Sequence, residues 1–200
     1  MTTAPATNLT QRMRQLVSTE LTEAALRLMA ADGFEAVTID QIAAAAGVSR
    51  RTFFRHYASK EDVVVRFLTD MGADITATLT ARPAGEPPSV SLRHALGVPL
   101  AACSGAHERA RQVVGLILGT PALLARFLER QSQWQDDLAA ALALRLDMDA
   151  DALYPRMAAG MALTAFGTAL HGWNAGDGSA DPAELADRAF AIIAPALDAV

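Results

Sequence analysis

The side chains with the clearest chemical purpose are concentrated in one short stretch of the sequence. Five hydrogen-bond donors fall within seven residues: Arg50, Arg51, Thr52, Arg55 and His56. An arginine can pair two donors with the O6 and N7 atoms of guanine, a threonine can meet the methyl group of thymine, and both can hold phosphates. No Asp or Glu occurs between residues 41 and 60, so the positive charge is local. This chemistry suits a surface that binds nucleic acid.

Two short helices joined by a tight turn are predicted to position these side chains. Thr38 can serve as the N-cap of the first helix, with Gln41 three residues later completing a capping box. Gly47 lies just past its end, where a left-handed backbone favours glycine, and Ser49 can cap the second helix. The second helix has a donor face and an opposite aromatic face, formed by Phe53, Phe54 and Tyr57. The pattern predicts a helix-turn-helix over about residues 37–56.

The alternative is that these arginines simply solvate a helix, which is the usual role of a run of charges. Here the caps, the glycine turn, the absence of acids and the aromatic inner face agree with one another and favour DNA binding. The charge distribution supports this, since residues 1–66 carry eight Lys/Arg and seven Asp/Glu, whereas residues 67–200 carry nine and fifteen. The acidic remainder would be kept away from phosphates.

The stretch TIDQIAAAAGVSRRTFFRHYASK, which runs from Thr38 to Lys60 and is followed by Glu-Asp, resembles the DNA-binding segment of the tetracycline-repressor (TetR) family. The resemblance covers about residues 11–70. It implies an all-helical homodimer that represses transcription from a palindromic operator in double-stranded DNA until a small molecule binds its C-terminal domain. By the family's pattern, bases are read by Arg50, Arg51, Thr52 and Arg55, and phosphates are held by Thr38, Phe54, His56 and Lys60. Phe54 departs from this pattern, because the family usually has a tyrosine there whose hydroxyl reaches a phosphate, and we expect packing instead.

The whole chain is predicted to be all-α, with about nine helices, no strand and no internal repeat. Alanine and leucine dominate and only 6% of residues are aromatic, a composition that favours helices. A helix that begins at Ser89 or Ser91 is expected to be kinked or shortened by Pro99. We expect three parts: a flexible arm over 1–10, a helix-turn-helix domain over 11–70, and a ligand-binding and dimerisation domain over 71–200.

The C-terminal part has to house self-association and a ligand site. The family dimerises through its last two long helices, here about 151–173 and 182–199. Small residues of the first of these, from Gly160 to Thr168, would allow close helix approach, but they could equally serve packing within one chain. The candidate ligand residues are Phe127, Arg130, Trp134, Met157, Met161 and Phe166, with Arg93, His94 and Cys103 as weaker candidates.

Aromatic and methionine residues at helical spacing form core more often than pockets, so the ligand site has a structural alternative. Residues 120–173 weakly resemble actinobacterial TetR regulators that are thought to bind acyl-CoA-like or other hydrophobic effectors. By that resemblance, Arg130 and Arg156 would meet an anionic head group.

Other classes of protein are disfavoured by what the sequence lacks. It contains no G-x-S-x-G, H-E-x-x-H or P-loop motif, and its four histidines lack metal-ligand spacing, so neither an enzyme, a cofactor nor a metal site is expected. Residues 157–176 carry no charged side chain but are diluted by glycine, threonine, histidine and asparagine, which favours a buried helix over a membrane span. The single cysteine fits a cytoplasmic location. The alternative function is a helical interaction protein with a weak or non-specific DNA-binding head and no effector control.

Overall fold

The computed structural model describes residues 9–104, 107–149, 151–176 and 180–199. Over these ranges the chain forms nine helices and no strand, which confirms the all-α prediction. The helices are α1 (Leu9–Asp32), α2 (Ile39–Ala45), α3 (Arg50–His56), α4 (Lys60–Ala81), α5 (Pro88–Ser104), α6 (His107–Gly119), α7 (Pro121–Arg145), α8 (Leu153–Ala175) and α9 (Pro182–Leu197). The predicted arm falls mostly outside the described residues, and its last two residues belong to α1.

The chain divides into two compact units, Met1–Phe67 and Leu68–Val200. In the first unit, one apolar stripe of α1 is buried, with Leu21, Ala25 and Met29 at intervals of four residues. Gly33 ends α1 with φ of 90°, a conformation that glycine adopts without penalty. Phe34 is then buried as the chain folds back towards α2. The division of function predicted at residue 70 stays a prediction.

The second unit is a bundle in which α8 contributes the largest buried set. Phe166 and Trp173 of α8 are almost completely buried, as are Leu138 and Leu142 of α7. Helix α5 continues through Pro99 to Ser104, so the proline does not end it. Helix α5 also begins at Pro88, ahead of both predicted serines. Ser89 instead donates from its backbone nitrogen and its hydroxyl to the carboxylate of Asp198, at 2.9 and 2.6 Å.

No single helix of the described ranges is long and apolar enough to cross a membrane. Helices α6 and α7 pass the same test of length and composition only when taken together, and they meet at 94°.

Candidate nucleic-acid interface

The turn between α2 and α3 is built by local hydrogen bonds that the sequence predicted. The Thr38 hydroxyl accepts from the Gln41 nitrogen at 3.3 Å, and the Gln41 side chain accepts from the Thr38 nitrogen at 2.8 Å. Gly47 has φ of 66°, the left-handed region that favours glycine. The Ser49 hydroxyl accepts from the Thr52 nitrogen at 3.1 Å and caps α3. The capping box, the glycine turn and the second cap are therefore confirmed.

The inner face of α3 is fixed against α1 by aromatic packing and one hydroxyl. Phe53 is fully buried. The Tyr57 hydroxyl lies 2.7 Å from the Ser18 hydroxyl and 3.0 Å from that of Thr22, both on α1. A buried phenol with hydrogen-bond partners holds one orientation, because losing those partners would leave a polar atom unsatisfied. The outer face of α3 is consequently held in a fixed direction.

The outer face of α3 carries two arginines that have no ion-pair partner in the described part of the chain. Arg51 and Arg55 are both exposed and form no ion pair with any residue that the structure describes. Thr52 is half-buried between them, and its hydroxyl lies 3.0 Å from that of Ser49. Arg51 and Arg55 therefore present donors to solvent, as contact with base edges requires, whereas the Thr52 hydroxyl is shared with Ser49.

Arg50, which the sequence groups with Arg51 and Arg55, is in a different environment. Its Nη1 atom donates to the Asp40 carboxylate at 2.7 Å. Its guanidinium carbon lies 5.4 Å from the centroid of the Phe54 ring. Phe54 packs its ring against Phe53 at 86° but stays 46% exposed, so the expected packing of Phe54 is only partial.

Lys60, predicted to hold a phosphate, is directed into the protein. Its ammonium donates to the main-chain oxygen of Phe34 at 2.6 Å and to that of Val37 at 3.4 Å. It also lies 4.2 Å from the centroid of the Phe34 ring, within cation–π distance. The side chain therefore closes the loop between α1 and α2, a role that the sequence analysis did not anticipate.

His56 lies at the end of α3 with its Nε2 atom buried and without a hydrogen-bond partner in the described part of the chain. Burial lowers the pKa of His56 below its usual value, and the positive charges of Arg55 and Arg14 lower it further. The imidazole is consequently neutral at pH 7, and an anion placed beside it would favour protonation.

The predicted ligand residues do not form one group. Phe127, Trp134 and Phe166 are buried, and the first two pack edge to face with centroids 5.9 Å apart. Arg130 donates to the Thr69 hydroxyl at 3.3 Å. Met157 is 53% exposed and lies with Met161 on the open side of α8.

The weaker ligand candidates are also dispersed. Arg93 forms an ion pair with Asp187 at 2.6 Å, and His94 is exposed. The Cys103 side chain lies outside the described residues. Arg156, the second cation expected to meet an anionic head group, pairs with Asp136 at 3.3 Å.

The open side of α8 forms an apolar groove with α9. The groove has a volume of about 720 Å³ and is lined by Met157, Met161, Thr164 and Ile192, among others. Leu153 and Ile192 are 73% and 80% exposed beside it. An exposed patch of large apolar side chains usually marks an interaction site. The two helices predicted to dimerise therefore carry an unpartnered apolar face in the single chain.

Two features were missed by sequence reasoning. Asp40 was not singled out, although it is the only acidic residue between 36 and 60, and that isolation was the available signal. The partners of Lys60 could not be predicted from the sequence, because they are main-chain oxygens of a loop, and every residue type has such an oxygen. No cluster of metal-ligating side chains occurs in the part of the chain that the structure describes.

A helix-turn-helix with a free cationic face defines the class of the first unit as a DNA-binding module of transcriptional regulators. Comparison with known families supports this reading over most of the chain. Residues 21–67 match the profile of bacterial regulatory proteins of the tetR family, and residues 86–198 match that of the MftR C-terminal domain. The chain belongs to the tetR family of transcriptional regulators. The members of this family are regulators and not enzymes, which agrees with the expectation from the sequence.

Three similar proteins show how far the likeness extends. The HTH-type transcriptional regulator TcmR of Streptomyces glaucescens is 38% identical over 72% of this chain, and the match spans 66% of TcmR, just under two thirds of its length. MftR of Mycobacterium tuberculosis, a regulator named for mycofactocin biosynthesis, is 30% identical over 94% of each chain. The regulator FadR of Bacillus subtilis, solved with stearoyl-CoA, has the same fold with a TM-score of 0.62 at 18% identity, covering 88% of this chain and 97% of FadR.

Proposed function

We propose that this chain binds DNA in a sequence-specific manner by placing α3 in the major groove. The observation that carries the proposal is the outer face of α3, where Arg51 and Arg55 are exposed and form no ion pair with any described residue, beside the half-buried Thr52. A helix of this size fits the major groove, where arginine can read guanine and threonine can meet a thymine methyl group. The fixed inner face supplies the rigidity that such reading needs.

Phosphate contacts are assigned to the edges of the same surface. We place Thr38, His56 and Lys60 nearest the DNA backbone, since Thr38 caps α2, His56 ends α3 and Lys60 begins α4. Thr38 and Lys60 would have to keep or exchange their internal hydrogen bonds on binding. Phe54 has no donor, so its proposed role is to support Arg50 through its ring rather than to hold a phosphate.

The proposed assembly is a homodimer that recognises a palindrome. Two recognition helices about 34 Å apart would read successive turns of one face of DNA. The apolar groove between α8 and α9 supports this, because exposed Leu153, Met157 and Ile192 would be covered by a second copy. Ile192→Asp is expected to yield monomers in sedimentation velocity and to lose palindrome binding. Leu144→Asp, at a residue 85% exposed outside the groove, is the matched control.

Control by a small hydrophobic effector is the second part of the proposal. It is supported by the match to the MftR C-terminal domain and by the fold shared with FadR, whose structure contains stearoyl-CoA. In this chain, Phe127 and Arg130 of α7 would supply an apolar wall and a cation for an anionic head group, whereas the fully buried Trp134 and Phe166 would reach an effector only if α7 and α8 separated. Arg130→Gln should weaken effector-driven release from DNA, whereas Arg126→Gln, an exposed arginine paired with Glu129, should not. Release by no member of an acyl-CoA panel would oppose this part.

The decisive experiment is footprinting on the intergenic DNA beside the gene, with and without a metabolite panel. Arg51→Ala should lower discrimination at one base pair by about 1–3 kcal/mol, because one bidentate contact is lost. Arg126→Ala removes the same charge from the second unit and should leave discrimination unchanged. Equal binding to random and cognate DNA, with no effector response, would favour the alternative of a helical interaction protein with a non-specific head. As a repressor of chromosomal genes, the protein would act in the cytoplasm.

A further inference from the structure

The three arginines of α3 differ in how they are held, and the difference depends on Asp40. Arg50 donates to the Asp40 carboxylate at 2.7 Å, across the turn that joins α2 to α3. Arg51 and Arg55 have no carboxylate partner among the residues that the structure describes. The pair lies at the surface, where the two side chains remain 59% and 64% exposed.

Asp40 is placed where a negative charge is unfavourable for DNA binding. It is the only acidic residue between 36 and 60, and it lies in the first turn of α2 beside the surface that phosphates must approach. A lone carboxylate there would repel phosphates. Paired with Arg50, it contributes no net charge. Release of Arg50 to DNA would therefore restore the repulsion that the pair removes.

Arg50 is also held by the helix that carries it. Its guanidinium carbon lies 5.4 Å from the Phe54 ring centroid, one helical turn along α3. The Asp40 carboxylate further offsets the unfavourable placement of a cation at a helix N-terminus. Arg50 thus has two separate side-chain contacts in the free protein, whereas Arg51 and Arg55 have no ion pair with any described residue.

We propose that Asp40 keeps Arg50 engaged within the protein when DNA is bound, and so limits the sequence-independent attraction of this surface to phosphates. Arg50 is then a positioning residue that joins α2 to α3, and the readout falls to Arg51, Thr52 and Arg55. This revises the base-reading role that the sequence predicted for Arg50. The inference rests on the proposed DNA-binding function, which it deepens.

The test measures affinity for the cognate palindrome and for a scrambled duplex across a range of salt concentrations. Asp40→Asn frees Arg50 for a phosphate, so the slope of log K against log salt should steepen by about 0.9 for each recognition surface. For each recognition surface, the ratio of the variant's affinity to that of the unmodified protein should then rise about 8-fold when the salt concentration falls tenfold. The affinity for the scrambled duplex should rise as much as the affinity for the cognate palindrome, because the added contact is to a phosphate. Asp40→Ser, a second neutral substitution, should behave in the same way.

The partner substitution makes the test reciprocal. Arg50→Gln leaves Asp40 unpaired and should weaken binding to both duplexes alike. The double variant D40N/R50Q has no charge at either position and should return to the original slope and to the original affinity for both duplexes. Glu35→Gln, at an exposed acid outside the surface and without an ion pair in the described chain, controls for net charge and should leave the slope unchanged. Circular dichroism checks that each variant keeps its helices.

Two results would overturn the inference. One is an unchanged slope for Asp40→Asn, and the other is loss of discrimination at one base pair in both Arg50→Gln and the double variant. The second result would assign Arg50 to base reading. Failure of the proposed function is a separate outcome, because the unmodified protein would then show no preference for the palindrome over scrambled DNA.

Discussion

Replacing Lys60 with methionine should destabilise the N-terminal unit rather than only weaken its binding to DNA. The ammonium donates to the main-chain oxygens of Phe34 and Val37 at 2.6 and 3.4 Å, and it lies 4.2 Å from the centroid of the Phe34 ring. Methionine keeps an unbranched stem of similar length but has neither the charge nor the three donors. The substitution therefore removes these contacts with little change in packing.

The magnitude follows from the contacts that are lost. A hydrogen bond to a charged group contributes about 1.5–3 kcal/mol, and a cation–π contact at an exposed site contributes about 0.5–1 kcal/mol. Lys60 is half-buried, and its two acceptors can be rehydrated when it is gone, so the expected loss lies near the lower end. We expect about 2 kcal/mol, which corresponds to about 30-fold in the local opening equilibrium at 1.36 kcal/mol per tenfold.

Hydrogen exchange measured by mass spectrometry on the full chain resolves this effect locally. Amides in the segment between α1 and α2, residues 33–38, should exchange about 30-fold faster in Lys60→Met, while α8 should be unaffected. Arg27→Met removes a cation from an exposed position of α1 and is the matched control. Because Lys60 is the only lysine in the sequence, labelled lysine also gives a single side-chain signal by which its engagement can be followed. Unchanged exchange together with a salt slope reduced by about 0.9 would refute the internal role and leave Lys60 only its proposed phosphate contact.

Three further side chains offer independent tests. The pKa of His56 is lowered by burial and by Arg55 and Arg14, so the unfolded chain binds more protons than the folded chain below about pH 6.5. Stability should therefore fall as the pH drops from about 6.5 through the pKa of His56 in the folded protein. NMR titration should show a higher His56 pKa in Arg14→Gln. Gly72→Ala would place a methyl group 2.1 Å from the buried Trp134 Nε1, at a cost of about 1–3 kcal/mol in tryptophan-monitored urea unfolding. Arg145→Ala removes donors to three main-chain oxygens at the end of α4 and should cost about 2 kcal/mol by the same assay.

Each of these tests has a control in the same chain. His56→Gln should flatten the pH dependence of stability below pH 6.5. Gly119→Ala places its methyl group in open space and should be tolerated. Arg126→Ala removes an exposed ion pair with Glu129 and should change little. A His56 pKa at its ordinary value, or a Gly72 or Arg145 variant as stable as its control, would contradict the corresponding prediction.

The parts of the first unit that could be predicted are those fixed by neighbours in the sequence. Thr38 with Gln41, Gly47, and Ser49 with Thr52 act over three residues or fewer, so residue type and spacing suffice to place them. Helix periodicity similarly separated the buried Phe53 from the donor face. Pro99 shows the opposite case, because α5 continues through it to Ser104 although local propensity favours an end there, and the predicted kink stays a prediction.

The ligand candidates could not be sorted by sequence, because the same residue types build cores, pockets and interfaces. Phe127, Trp134 and Phe166 are buried, whereas Met157 lies exposed in the groove beside α9. Periodicity places a residue on a face of its helix but does not say what covers that face. Only the packing of α7, α8 and α9 together distinguishes these environments.

The charge of the DNA-binding surface likewise depends on contacts that residue types alone do not reveal. The segment from Arg50 to Lys60 contains four formal cations and a histidine, and counting them suggests a uniformly positive surface. In the folded chain, Arg50 is balanced by Asp40, Lys60 is bound to loop oxygens, and burial and neighbouring arginines lower the pKa of His56. The free positive charge therefore rests on Arg51 and Arg55, beside the donors of Thr52. A surface with few free cations gains little from non-specific attraction to phosphates. On the proposed DNA-binding function, its discrimination would then come largely from base contacts, as a regulator of one operator among many competing sites requires.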